Sequence, residues 1–138
     1  MHIDNFIEKY DIKQIYTSIS LIDFRKYKHF DNYSNNELNT IFFGVYRKED
    51  IKNIINHKGN AWILWYDNDC NPNYKHRRKI VYKIIGSKKI VEHLTHCNQT
   101  SEYLNYFKLK HSIIDIKYTN VNINIKLPIQ IENKTYEQ

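Results

Sequence analysis

Apolar positions between residues 40 and 69 fall into three blocks. A continuous run, Ile41-Phe42-Phe43 with Val45, is followed by a spaced set, Ile51, Ile54 and Ile55, and then by a second run, Ala61-Trp62-Ile63-Leu64-Trp65. Continuous runs of this length suit parallel strands covered on both faces, whereas the spaced set is the buried stripe of an amphipathic helix. Gly44 near the end of the first run permits close approach of a ligand or another backbone. Glu49 and Asp50 place acids in the helix's first turn, where they favour the macrodipole, and Lys58-Gly59 predicts its end, with glycine at C′. The stretch is therefore one βαβ unit with a right-handed crossover.

The rest of the chain extends this unit. Ile3, Phe6, Ile7 and Tyr10 predict a short peripheral helix, and period-two alternation over residues 13–22 predicts a first strand. Residues 23–39 have turn composition punctuated by aromatics, which suits a loop over a sheet edge. Beyond Asp69 come a helix through Ile80, Val81, Ile84 and Ile85 that stops at Gly86-Ser87, a strand over 88–95, and a helix with the stripe Tyr103, Leu104 and Phe107. Asn98 or Thr100 would cap that last helix, and a strand over 112–118 follows. Residues 121–131 alternate strictly and contain Pro128, the pattern of a half-exposed antiparallel edge strand. The expected fold is a Rossmann-like three-layer α/β/α sandwich, α/β in class, with a mostly parallel sheet and a C-terminal antiparallel edge strand. It forms one domain over 1–138: first strand and aromatic loop (1–39), core (40–118), edge strand and tail (119–138).

Composition changes this picture little. A chain of 138 residues buries roughly two thirds of its unfolded surface without disulfides. The charged N-terminus lacks a signal-peptide pattern, Cys70 and Cys97 are only two thiols, and no window approaches roughly 18 apolar residues. The expectation is a soluble cytoplasmic protein, with no membrane partner. The net charge of +6 invites nucleic acid as a partner, but Ile, Asn, Lys and Tyr make up 68 of the 138 residues. All four have AT-rich codons, so base composition alone could supply the lysines, which disfavours that partner.

The pattern Ile41-Phe42-Phe43-Gly44-Val45-Tyr46, Asp50, His57-Lys58-Gly59, Trp62-Ile63-Leu64-Trp65 and Asp69 resembles the N-terminal half of two-Rossmann-domain (GT-B type) glycosyltransferases. More narrowly, it is similar to the glycosyltransferase-like proteins of giant DNA viruses with AT-rich genomes, and residues 89–115 resemble that family's last N-domain strand and following helix. The resemblance implies a viral protein of the host cytoplasm or virion and a glycan or nucleotide-sugar ligand. It also implies an acceptor-side domain, accessory or carbohydrate-binding, that needs a catalytic partner subunit for sugar transfer. Tyr66-Asp67-Asn68 replace the small residues such proteins carry before the aspartate matching Asp69.

Ligands of open α/β sheets sit beyond the carboxyl ends of the strands. That rule selects Gly44, Tyr46, Tyr66, Asp67, Asp69, Thr95 and His96 as ligand-binding candidates. Asp67 and Asp69 are the catalytic candidates: either they meet sugar hydroxyls, one acting as general base, or one caps the next helix and the other is solvated. The basic run around Lys75, Arg77 and Arg78 is a candidate anion site, opposed to the macrodipole at a helix N-terminus, or a solvated face. His93 and His96 lie three apart on a strand and point to opposite faces, so with Cys70 and Cys97 they match no zinc pattern, and no metal is expected. No P-loop, dinucleotide fingerprint or nucleophile elbow is present, so no cofactor is expected. Two alternative functions stand: a basic nucleic-acid-binding module, or an interaction protein whose C-terminal strand forms a homodimer by sheet addition.

Overall fold

The computed structural model of the chain describes residues 1–18 and 33–116. The strand expected over 121–131, the homodimer built on it, and residues 19–32 of the first strand and aromatic loop lie outside these residues. Within them run α1 (Ile3–Lys9), β1 (Gln14–Thr17), β2 (Thr40–Phe43), α2 (Lys48–Asn56), β3 (Ala61–Trp65), α3 (Lys75–Ser87), β4 (Glu92–Thr95), α4 (Asn98–Tyr106) and β5 (His111–Ile113).

The five strands form one all-parallel sheet in the order β1-β2-β3-β4-β5. This α/β architecture is consistent with a Rossmann-like fold. Its strand order never reverses, so the switch-point crevice of doubly wound sheets is absent from the described strands. Crossovers of one hand along such a sheet put their helices on one face. Accordingly Ile54 of α2, Val81 and Ile84 of α3 and Leu104 of α4 pack with Phe42, Ile63 and Trp65. The opposite face joins Ile15, Ile41, Phe43, Trp62, Leu64 and Leu94 to Ile3 and Phe6 of α1. That first helix is therefore not peripheral: Phe6 meets Trp62 edge-on at 6.3 Å between ring centroids, and it covers the sheet's second side.

Three boundaries differ from the sequence expectation. The strand predicted over 88–95 starts only at Glu92, because Lys88 N–H still donates to Ile84 and Val91 remains 48% exposed. The last strand starts at His111 rather than Ser112 and is three residues long. Gly59 is not the left-handed C′ residue of α2; His57 caps that helix with extended backbone, and Gly44 is the glycine with positive φ, 84°. What Gly59 provides is space, since a Cβ there would overlap the Glu37 carbonyl. Lys58 and Gly59 N–H both donate to Asn36 O at 2.8 and 3.0 Å, and buried His57 bonds Tyr33 Oη and Leu38 O through its two ring nitrogens. The segment after residue 32 is thus fastened to the end of α2.

Candidate functional site at the carboxyl-end rim

A parallel sheet delivers all its strand ends to one edge, and the sequence-selected residues collect there in two groups. The first group is internal. Beyond β2 the chain turns at Gly44, whose N–H donates to Leu64 O at 2.9 Å. Asp69 lies beneath this turn with no solvent exposure and accepts from Val45 N–H (2.9 Å) and Tyr66 N–H (3.0 and 3.1 Å). Burial pushes its carboxyl pKa up to about 8, against the pull of those amides and of Arg77. Arg77 donates to Val45 O at 2.8 Å and Tyr46 O at 3.4 Å, with its guanidinium 5.4 Å from the centre of the Tyr46 ring. Val45 is therefore gripped at its N–H by Asp69 and at its C=O by Arg77.

These contacts revise three expectations. Asp69 neither caps a helix nor meets an acceptor sugar; its oxygens are occupied by backbone and closed to solvent. Tyr46 spends its hydroxyl on Tyr66 O. Arg77 and Arg78 are not free anion ligands either, since Arg78 donates to Pro72 O at 2.6 Å. Unpaired loop carbonyls near the start of α3 attract both guanidinium groups inward. Of the basic candidates named for anions, Lys75 remains exposed.

The second group is mixed in exposure: Asp67 is exposed, Tyr66 and His96 are half-buried and Thr95 is buried. Tyr66 stacks on His96 with ring centroids 4.3 Å apart and planes at 22°, and the edge contact with Phe43 at 5.4 Å supports it from the core. Asp67 follows in left-handed backbone, φ 58°, which turns the chain between Tyr66 and Asp69. Asp67 is an exposed residue, yet partial burial of its carboxyl group raises its pKa. Among the described residues, His96 Nδ1 and Thr95 Oγ1 are buried with no hydrogen-bond partner. Unsatisfied buried polar atoms are rare and costly, and these two stand in succession at one strand end, both closed to solvent. Burial lowers the His96 pKa to about 4, so the ring is neutral at physiological pH.

One carboxylate with a central place at this rim stands out in the sequence only as a first-turn acid of α2 and as part of the resemblance, not as a site residue. Asp50, 1% exposed, accepts from Tyr16 Oη and Ser18 Oγ (each 2.7 Å), from Tyr46 N–H (2.9 Å) and from Arg47 N–H (2.8 Å). Its position three residues into α2, reaching back to the N-cap amide, is half of a capping box, and that spacing was the available signal. His93 faces the helix side and accepts from Trp65 Nε1 at 3.0 Å, while His96 lies against Tyr66. Among the described residues no three His, Cys, Asp or Glu side chains cluster for a metal ion, and no helix is long and apolar enough to cross a membrane.

No protein-family model, no curated protein and no solved structure matches this chain.

Proposed function

We propose that this domain binds carbohydrate at the part of the rim around Asp67, as a glycosyltransferase-like acceptor domain. The observation that carries the proposal is the Tyr66–His96 stack beside the exposed Asp67. A pyranose has an apolar C–H face that lies on an aromatic ring and a rim of hydroxyls that each donate and accept. The half-buried Tyr66–His96 pair supplies the ring surface, and Asp67 two acceptor oxygens. Of the two aspartates, only Asp67 leaves its carboxylate open to a ligand. Its raised pKa also suits a general base on an acceptor hydroxyl, were a catalytic partner to deliver the nucleotide-sugar donor.

Glycan-array binding followed by titration of the best glycan tests this reading. Asp67→Asn is expected to weaken binding about tenfold or more, the usual effect of losing a hydrogen bond to a charged group, and His96→Ala, which removes the ring stacked on Tyr66, should weaken it as well. A folded sample that binds neither glycans nor nucleotide-sugars would eliminate the carbohydrate reading.

A further inference from the structure

The chain's positive charge is not spread along it. Residues 70–91 hold seven of the 21 Lys and Arg and none of the 15 acids, so the other 116 residues carry fourteen basic and fifteen acidic groups. Base composition would scatter lysines evenly and does not explain this concentration. Three of the seven, Arg77, Arg78 and Lys88, donate to backbone carbonyls inside the fold. The remaining four are exposed, and Lys75, Lys79 and Lys83 recur every four residues along the outward side of α3. Four residues of helix rise about 6 Å, so the three ammonium groups form a line about 12 Å long. Among the described residues no carboxylate lies within ion-pair distance of any of them.

Aromatic rings flank that line. Tyr74, 51% exposed, stands at its start, where Asn73, Tyr74, Lys75, His76 and Lys79 line an open depression of about 410 Å³. Further along, Tyr82 and Tyr106 are 53% and 55% exposed, yet both lean edge-on against the buried ring of Phe107, at 5.3 and 5.0 Å. Phe107 thus acts as a pedestal that fixes two solvent-facing rings, which lowers the ordering cost of stacking a ligand on them.

We infer that the outward face of α3, with Tyr106 of α4, binds single-stranded nucleic acid. Lysines at regular spacing track the phosphates, and the supported tyrosines stack unpaired bases, the combination used for sequence-tolerant single-strand binding. Duplex ends offer few bases to stack. An anionic membrane would call for apolar wedge residues, but the exposed positions of α3 are Lys75, His76, Lys79, Tyr82, Lys83, Gly86 and Ser87.

Fluorescence anisotropy with a labelled mixed-sequence 12-mer tests the inference. Three phosphate contacts give a salt slope of about −2, so raising salt from 50 to 200 mM should weaken binding about 20-fold. The double variant Lys79→Ala/Lys83→Ala should reduce the slope to about one third. Tyr82→Leu, which still covers Phe107, should weaken binding between about 5- and 150-fold while leaving the slope unchanged. Three results would overturn the inference: no binding at 50 mM salt, equal or tighter binding of the same sequence as a duplex, or binding to anionic vesicles in place of the oligonucleotide. Neither variant touches the rim, so glycan binding should persist in both, and failure at one site leaves the other standing.

Discussion

Lowering the pH from 7 to 4.5 is expected to remove about 2 kcal/mol of stability through a single ring, His93. The indole Nε1–H of Trp65 can only donate, and it donates to His93 Nδ1 at 3.0 Å, so the imidazole must be neutral at that nitrogen. Protonation would set N–H against N–H. Burial, with a smaller push from His111, lowers the His93 pKa from 6.5 to about 4. In the unfolded chain the same ring titrates near 6.5. The unfolded state therefore takes up the proton first: the stabilisation is complete above about 6.5, declines as pH falls, and is lost near 4 and below. A shift of this size is worth about 3 kcal/mol in full, most of it already lost at pH 4.5. His93→Asn is the informative variant, because its amide oxygen falls close to the Nδ1 position and accepts from Trp65 without titrating. The assay is urea unfolding at pH 7 and 4.5, followed by tryptophan fluorescence. Wild type should lose about 2 kcal/mol more between the two pH values than the variant, shifting its midpoint by about 1 M or more relative to it. Carboxylates and His96 titrate in both proteins and cancel. Equal losses would refute the assignment.

Two further outcomes follow from packing. Gly59→Ala places a methyl group against the Glu37 carbonyl and should cost about 2 kcal/mol in thermal or urea unfolding. Gly86→Ala, in α3 with nothing within 4 Å of the new carbon, should instead stabilise by up to about 1 kcal/mol. Thiol titration of the native protein should detect one fast-reacting group, the half-buried Cys97. Cys70, fully buried and with its pKa pushed up by burial and by Asp69, should react only after denaturant is added.

The parts of the fold that could be read from the chain were those where one period dominated. Ala61–Trp65 is uniformly apolar and forms β3 with those bounds, and the Ile51, Ile54, Ile55 spacing located α2. Ile90 and Val91 misled because β-branched residues favour strands only where they can pack on a pleated surface. Here Val91 N–H bonds Ala61 O while its side chain faces water. At the rim, residue type and position selected the right strand ends but not which side chains turn inward. Nothing local distinguishes Asp67 from Asp69. The difference arises because the Val45 and Tyr66 amides, 21 residues apart, converge on one of them. Arg77 looked like a ligand for an external anion for the same reason, since the Val45 and Tyr46 carbonyls it serves lie some thirty residues away, whereas Arg78 turns back on Pro72 O in the loop before its own helix.

The unreversed strand order also bears on how the chain folds. Each strand pairs with the strand next in sequence, so β2 through β5 can assemble one βαβ step at a time, without any strand inserting between two already joined. Parallel sheets are usually slow to form because their pairings are distant in sequence, and this arrangement keeps those distances as short as a crossover allows. One contact departs from the scheme. His2 bridges Asp115, and Ile3 N–H donates to Asp115 O at 2.8 Å, joining residues 113 positions apart. That closure carries the largest loop entropy among the described contacts. It is therefore the last clasp to fasten during folding, and the first to open when the ends of the sheet fray.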